Sequence, residues 1–187
     1  MGTVFSEYEI RELGFRFKDD EEAIIAECVG SGEETMDTRV VSKKCRGVTK
    51  KKVVKPTGTG VKKYSMHMPW DVYVKLFGME NAKVIDGVKT YGINNTHGVF
   101  CLTEKVLDED DNVKYKACPN CVVETGKAVK TENGAEEVAE MELEIAVSPD
   151  DYGNGLYEAL DSELKEETVK TNWMKKFDPA SVQVTSA

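Results

Sequence analysis

The sequence contains no long apolar run. No stretch of its 187 residues approaches the ~20 apolar residues that a membrane-spanning helix needs. The N-terminus also lacks a basic region followed by an apolar segment, so no signal peptide is predicted. A chain of this length fits one domain and can bury a core of its own. The sequence therefore predicts a single domain over residues 1–187, made in the cytoplasm and without a membrane segment.

Histidines are also scarce, and phosphate-binding glycine loops are absent from the sequence. Only His67 and His97 are present, and no glycine loop is followed by Lys-Ser or Lys-Thr. A catalytic nucleophile needs a base and an orienting group within reach, and a phosphate cradle needs a glycine loop that opens a helix. Neither pattern is found. The sequence therefore predicts no enzymatic activity, no metal and no cofactor.

The cysteines are few and do not pair in an obvious way. An odd number scattered over predicted strands does not resemble the disulfide framework of a small secreted domain, so we expect reduced thiols. Cys118 and Cys121 form one CxxC, but a second pair is missing and the motif closes a predicted strand rather than opening a helix. A zinc or redox site at this pair stays an alternative. The five cysteines are Cys28, Cys45, Cys101, Cys118 and Cys121.

Acidic residues are absent between Asp37 and Asp71, whereas ten basic residues give that stretch a charge of +10. The rest of the chain has 15 basic and 34 acidic residues, a charge of −19. This separation favours self-association, with the basic segment of one subunit set against the acidic body of the next. Nucleic-acid binding and a merely solvated hairpin are the alternatives, although the acidic remainder would repel a polyanion. The ten basic residues are Arg39, Lys43, Lys44, Arg46, Lys50, Lys51, Lys52, Lys55, Lys62 and Lys63.

Alternating and β-rich runs dominate the chain. Turn residues separate them, which predicts three hairpins around 56–60, 108–112 and 131–136. The expected fold is mainly β, an antiparallel sandwich or barrel-like sheet with one flanking helix and a possible C-terminal helix. The predicted strands cover 8–15, 23–29, 38–47, 48–55, 61–68, 98–107, 113–118, 121–130 and 137–147.

The last predicted strand, 137–147, separates its two faces most clearly. Glu140, Glu142 and Glu144 leave one face, while Leu143, Ile145 and other apolar residues leave the opposite face. An ordinary solvated face of an antiparallel sheet is the simplest interpretation. The alternative is that several copies close into a ring, in which case each row of carboxylates becomes a negative band along a channel.

A helix is predicted from residue 69 to residue 78. Trp70, Tyr73, Val74 and Phe77 follow a helical spacing and are expected to pack on the sheet. Proline at the first position and Gly78 at the end suit the two termini. A second helix is predicted within 163–177, with Leu164, Thr168, Trp173 and Phe177 facing inward, followed by an extended tail at 178–187.

Several local sequences occur in an order that resembles one family. The glycine-rich turn at 56–60 precedes a helix that opens Met-Pro-Trp and closes Phe-Gly-Met, and the CPNC segment at 118–121 follows. The blocks ENGAEEVAEMELEI at 132–145, YGNGLYEAL at 152–160 and WMKKF at 173–177 complete the pattern. Over most of residues 5–184 the chain resembles the major tail proteins of long-tailed phages and prophages of Gram-positive bacteria.

This resemblance implies a structural virion protein that assembles as stacked hexameric rings into a tail tube. Sheets of neighbouring subunits would join around a channel through which DNA passes without specific binding, and Glu140, Glu142 and Glu144 would line it. A negative lumen suits that task because it repels DNA phosphates. Besides further copies of itself, the implied partners are the tail tip or initiator, the tape measure and the tail terminator proteins. The location would be the virion tail, assembled in the host cytoplasm.

The resemblance also gives the basic segment a role. The hairpin expected at 48–68 would be an arm that reaches the neighbouring ring, with Lys50, Lys51, Lys52 and Lys55 near its tip as the contact residues. The runner-up function is the inner-tube protein of a contractile or injection-type particle. A nucleic-acid-binding β module, and an adhesive or carbohydrate-binding module, are alternatives from other classes.

Overall fold

The computed structural model describes residues 4–79 and 84–184. Over these residues the protein is mainly β, as predicted, with eight strands, two α-helices and a short 3₁₀ helix. The strands are β1 (Glu9–Phe17), β2 (Ile24–Ala26), β3 (Val29–Cys45), β4 (Val48–Met66), β5 (Phe100–Leu107), β6 (Val113–Val123), β7 (Met141–Ser148) and β8 (Tyr157–Leu160). The helices are α1 (Trp70–Leu76), α2 (Glu167–Lys176) and the 3₁₀ helix Pro179–Val182.

All strands belong to one antiparallel sheet in the order β2-β1-β5-β6-β7-β4-β3, with β8 paired to the first half of β6. The sheet curls over itself, because the side chain of Ile10 on β1 lies against Gly32 on β3. Lys62 of β4 likewise meets Glu104 of β5 across the interior. This curled arrangement encloses the core between two layers and agrees with the predicted sandwich.

The main core lies inside the curled sheet and takes side chains from strands at both ends of it. Phe15 of β1, Met66 of β4 and Ile145 of β7 are completely buried there. A smaller cluster lies on the outer side of the sheet, where α2 packs Trp173 against Ala117 of β6. The indole N–H of Trp173 also donates to the Lys116 carbonyl oxygen at 3.1 Å, so its polar atom is satisfied in this buried position.

Tyr73 and Val74 of helix α1, and Phe77 directly after it, belong to the main core and are each at most 6% exposed. Trp70 was predicted to pack on the sheet with them, but its side chain is 60% exposed and stacks on Tyr73 instead. The reason is its place in the first turn, where the residue precedes the buried stretch from Val72 onward. The glycine expected at the helix end is at residue 78 in a left-handed conformation with φ 56°.

Helix α2 begins later than predicted, at Glu167. Trp173 and Phe177 are buried as expected, but Thr168 is exposed and the next residue, Val169, packs inward in its place. The predicted extended tail is wrong for residues 179–182, which form a 3₁₀ helix capped by the Asp178 carboxylate accepting from the Ala180 N–H at 2.9 Å. Residues 185–187 of that predicted tail lie outside the described residues.

The hairpin predicted at 56–60 is wrong, and with it the arm at 48–68. Strand β4 runs unbroken through these residues and pairs with β3 along its length, so the hairpin is β3–β4 with its turn at Arg46-Gly47. Pro56 is tolerated because this part of β4 pairs only with β3. The glycine-rich segment is a bulge: residues 57–59 oppose the single residue Asp37.

The sheet confirms one further predicted hairpin and contradicts another. Residues 30–32, Gly-Ser-Gly, have a composition typical of turns but lie inside β3, with a register irregularity at Gly30. The hairpin around 108–112 is confirmed, whereas β6 and β7 are joined by residues 124–140 rather than by a tight turn at 131–136. Strand β7 therefore begins at Met141, and Glu140 precedes it. Strand β8 carries no alternating pattern long enough to predict.

Candidate functional site

The outer part of the β3–β4 hairpin projects from the sheet as a two-stranded ribbon, here called the arm and comprising residues 38–56. Strand β7 pairs with β4 only from Gly60 to Met66, so beyond the bulge at Asp37 the two strands have only each other. Eight residues of extended strand span on the order of 25 Å. Almost every arm residue is exposed. A two-stranded ribbon has fewer stabilising contacts than the rest of the sheet, from which it projects.

The tip and the base of the arm have defined geometries. Arg46 and Gly47 have φ values of 51° and 77°, which is the pattern of a type I′ turn and matches the twist of the two strands. At the base, Thr59 Oγ1 donates to the Asp37 carboxylate at 2.9 Å and Thr57 Oγ1 donates to the Asp37 carbonyl oxygen at 3.2 Å. Gly58, at φ 79°, lies against the loop that follows β7. These contacts fix the direction in which the arm leaves the body.

The arm is strongly basic, with eight cationic residues and no carboxylate between Thr38 and Pro56. The remainder of the chain has 17 basic and 34 acidic residues, a charge of −17. The predicted contact residues Lys50, Lys51, Lys52 and Lys55 are all exposed on β4 close to the turn. None of the eight cations forms an ion pair within residues 4–79 and 84–184.

Lys62 was counted in the basic segment, but it does not belong to that surface. Its side chain is completely buried and its ammonium group contacts the carboxylates of Glu34 and Glu104. The signal for this placement is in the sequence, since Lys62 alternates with Tyr64 and Met66 on the buried face of β4. A sum of charge along the chain does not reveal it, because such a sum ignores the face of the strand on which each side chain lies.

Lys62 is part of a larger ionic cluster at one end of the core. Lys116 on β6 lies 2.8 Å from Glu7 and 3.5 Å from Glu34. Lys114, two residues earlier on the same face, lies 2.6 Å from Glu158 on β8 and 3.0 Å from Glu7. The cluster thereby connects the N-terminal segment, β3 and β8 to β6 at the centre of the sheet. Its member Glu34 lies on β3, the strand that continues into the arm.

The cluster shifts the acidities of its members. Burial by itself would raise the pKa of Glu34, but the ammonium groups of Lys62 and Lys116 outweigh it and hold that pKa below its usual value. The pKa of Glu7 is lowered in the same way, with Lys116 and Lys114 prevailing over partial burial. The pKa of Lys62 is raised despite its burial, chiefly by Glu104. All three groups are therefore charged near neutral pH.

The predicted acidic row lies on the outer face of β7, opposite the core residues of that strand. Glu142 is exposed and Glu144 partly exposed, whereas Leu143, Ile145 and Val147 are buried. The register extends this row across two more strands, since Lys63 pairs with Glu144 on one side and with Glu33 on the other.

Glu140, which precedes β7, reaches the same outer face. Its carboxylate accepts from Ser65 Oγ at 2.6 Å. The face formed by β7, β4 and β3 thus carries four carboxylates and one ammonium group, that of Lys63, which lies 3.5 Å from Glu144. An open groove of about 450 Å³ runs over it, bordered by Glu33, Lys63, Glu142, Glu144 and Thr125. Its net charge is negative.

The CxxC cysteines lie inside β6 rather than at its end, because the strand continues through Pro119 to Val123. Both Cys118 and Cys121 are free thiols and at most 1% exposed. Burial raises the pKa of the Cys121 thiol well above its usual value, which disfavours the thiolate that metal binding and redox exchange require. No group of three or more His, Cys, Asp or Glu side chains in the described ranges is arranged to hold a metal ion.

Neither helix described here is long and apolar enough to cross a membrane. Comparison with known protein families gives no match, and comparison with curated proteins gives none. Two solved structures align with 85% of this chain at a TM-score of 0.44. One, the tube-terminating cap of the anti-feeding prophage, is 10% identical with 96% of its chain covered; the other, from the baseplate of the anti-feeding prophage, is 9% identical with 97% covered.

Proposed function

We propose that this protein is a structural subunit of a phage tail or tail-like particle that polymerises as stacked rings into a tube. The observation that carries the proposal is the arm: a projecting, unsupported β-ribbon of charge +8 on a body of charge −17. Such a ribbon gains stability by lying on the acidic surface of a neighbouring copy. The proposal extends to the inner tube of a contractile particle, because the same chain must stack on itself there.

In this proposal the outer face of β7, β4 and β3 is turned toward the channel. Its four carboxylates and single ammonium group would repel DNA phosphates, so that a passing genome finds no binding site. Six copies, the number implied by the family resemblance, would repeat this face around the ring. The partners at the ends of the tube would be a tip or initiator and a terminator, with a tape measure inside.

The test is assembly of the purified protein, followed by negative-stain electron microscopy and sedimentation velocity at low and high salt. We expect rings or hollow tubes that become less abundant as salt screens the arm. Reversing Lys50, Lys51 and Lys52 to Glu should abolish assembly while the circular dichroism of the monomer is unchanged. The matched control reverses Lys18, Lys165 and Lys175, which are exposed on the body. Normal polymerisation of the charge-reversed variant would show that the arm is not the contact between copies.

A second candidate function follows from the shape of the arm, because a two-stranded basic ribbon has the width that enters the major groove of DNA. This function predicts that the monomer binds duplex DNA with an affinity that falls steeply with salt. Fluorescence anisotropy with a labelled duplex measures it directly. Binding of DNA by the monomer, together with failure to form rings at any concentration, would favour this candidate.

A further inference from the structure

The arm has two faces that the register of the ribbon distinguishes. In an antiparallel pair, residues directly opposite each other share a face, and successive residues alternate between faces. Val40 pairs with Val54, and Val41 pairs with Val53. The two valine pairs therefore lie back to back, one on each side of the ribbon.

The two faces differ in charge over the regularly paired stretch, 38–43 with 51–56. Within this stretch, which excludes the three cations near the turn (Lys44, Arg46 and Lys50), one side, the low-charge face, has a single cation at its outer end. The other side, the basic face, has four cations around its valine pair. The low-charge face consists of Thr38, Val40, Ser42, Lys52, Val54 and Pro56. The basic face consists of Arg39, Val41, Lys43, Lys51, Val53 and Lys55.

The valines of the low-charge face are also more exposed than those of the basic face. Val40 and Val54 on the low-charge face are each 61% exposed. On the basic face Val41 is 50% exposed and Val53 is partly buried, as expected where long basic side chains flank a valine and cover it with their methylene groups. The low-charge face therefore offers the more open apolar surface.

We propose that the low-charge face is the side by which the arm docks on a second copy of this chain, with the Val40–Val54 pair at the centre of the contact. This inference rests on the proposed function and names the side of the arm that function uses. Burying the low-charge face removes apolar surface from water and desolvates one ammonium group. Burying the basic face would desolvate four cations, each of which would need a carboxylate partner.

Charge complementarity identifies a second copy as the occupant. The basic face stays at the edge of the contact, where its four cations are attracted by the −17 body of the neighbour without losing their hydration. The two faces then have separate effects. The low-charge face sets how tightly the arm holds, and the basic face sets how fast the copies associate and how strongly salt weakens them.

The experiment compares Val40→Glu with Val41→Glu, which are adjacent in the same strand and differ chiefly in the face that they alter. The concentration needed for assembly is measured by sedimentation velocity, with tubes or rings confirmed by electron microscopy. We expect Val40→Glu to raise that concentration by about tenfold or more, as for a central interface residue, and Val41→Glu by less than about threefold. Circular dichroism and the Tm of each monomer check folding.

A second pair of variants removes the effect of added charge. Val40→Thr with Val54→Thr, and Val41→Thr with Val53→Thr, keep β-branched side chains suited to strands and change only the apolar character. The first double variant should weaken assembly several-fold more than the second. The salt dependence should be unchanged in both, because no charge is altered.

The outcomes separate the inference from the function on which it rests. Wild-type assembly with equal losses for the two faces, or a larger loss for Val41→Glu, would overturn the face assignment and leave the tube function standing. A larger loss for Val41→Glu, together with a shallower salt dependence, would show that the basic face makes the contact. Wild-type protein that stays monomeric at every concentration would overturn the proposed function and the inference with it.

Discussion

Strand β4 carries lysines in two opposite situations. Lys50, Lys51 and Lys52, near its start, are exposed on the arm with no carboxylate partner in the described part of the chain. Lys62, on the same strand, is completely buried between two glutamates. The difference comes from the neighbouring strands. In the arm β4 pairs only with β3, whereas from Gly60 onward β7 pairs with its other edge and makes it an interior strand. The same residue type is thus solvated and unpaired in one place and held in a buried ionic cluster in the other.

Removing the buried charge of Lys62 should have the largest effect on stability. Lys62→Met leaves the buried Glu104 carboxylate without its cation, so we expect the free energy of unfolding to fall by about 3–5 kcal/mol. Lys63→Met is the matched control, because Lys63 is 55% exposed and 3.5 Å from Glu144, and it should cost at most about 1 kcal/mol. Urea unfolding measures both. Equal losses for the two neighbours would contradict the assigned environments.

Acid should affect the ionic cluster before it affects the arm. The pKa values of Glu7 and Glu34 are lowered in the folded protein, so the unfolded chain binds more protons and stability is lost as the pH falls below about 4.5. The arm has no carboxylate to titrate in that range. Glu34→Gln should make the acid limb of a stability profile shallower.

The profile is measured by urea unfolding between pH 7 and pH 3, with Glu33→Gln as the control on the exposed face of the same strand. The control should leave the acid limb as steep as in the wild-type protein. An acid limb that is unchanged by Glu34→Gln would rule out the cluster as its origin.

A substitution at the base of the arm should have a smaller, local effect. Asp37→Ala removes the acceptor of the Thr59 hydroxyl, worth about 1–2 kcal/mol locally, while the ionic cluster is untouched. We expect faster amide hydrogen exchange over 38–56 and weaker assembly, with unchanged exchange in β5 and β6. Asp37→Asn keeps an acceptor oxygen and should restore most of the protection. Loss of protection throughout the sheet would mean that the arm and body are not separate units.

The smallest expected effect is at the tip. Arg46 has φ 51°, a conformation that asparagine adopts more readily than arginine. Arg46→Asn should stabilise the ribbon by less than about 1 kcal/mol and slow hydrogen exchange in the arm, although one cation is lost. Arg46→Val, a β-branched residue at the same φ, should do the opposite. A slower exchange in the valine variant would contradict the I′ geometry.

The sequence predicted those parts of the fold that depend on local periodicity. The alternation in β7, the helix around Tyr73 and Val74, and the turn before Val113 all appear as expected, because the side-chain period alone fixes which residues can be buried together. The prediction from sequence was wrong at residues 56–60, because proline and glycine are typical of turns. In the structure these residues lie inside a continuous strand. They form the bulge opposite Asp37, and Gly58 closely approaches the loop that follows β7.

The candidate surfaces were partly predictable for the same reason. The outward direction of Glu142 and Glu144 follows from alternation, and the exposure of the arm cations follows from their charge. The back-to-back valine pairs of the arm could not be found, because they require the pairing of Val40 with Val54, and a shift of one residue would exchange the faces. The role of Lys62 could not be predicted either, because it depends on a contact with Glu104, which is 42 residues away in sequence.

By itself, then, the sequence determined a mainly β chain with an acid-free basic segment, an alternating acidic strand and a helix with one apolar stripe. These properties are local: they follow from side-chain spacing and charge within about ten residues. Only the tertiary structure decided where the hairpin turns, which carboxylates hold Lys62, and which side of the arm is open. Those choices depend on strand register and on partners distant in sequence, because burial and ion pairing are properties of the assembled sheet and not of any one segment.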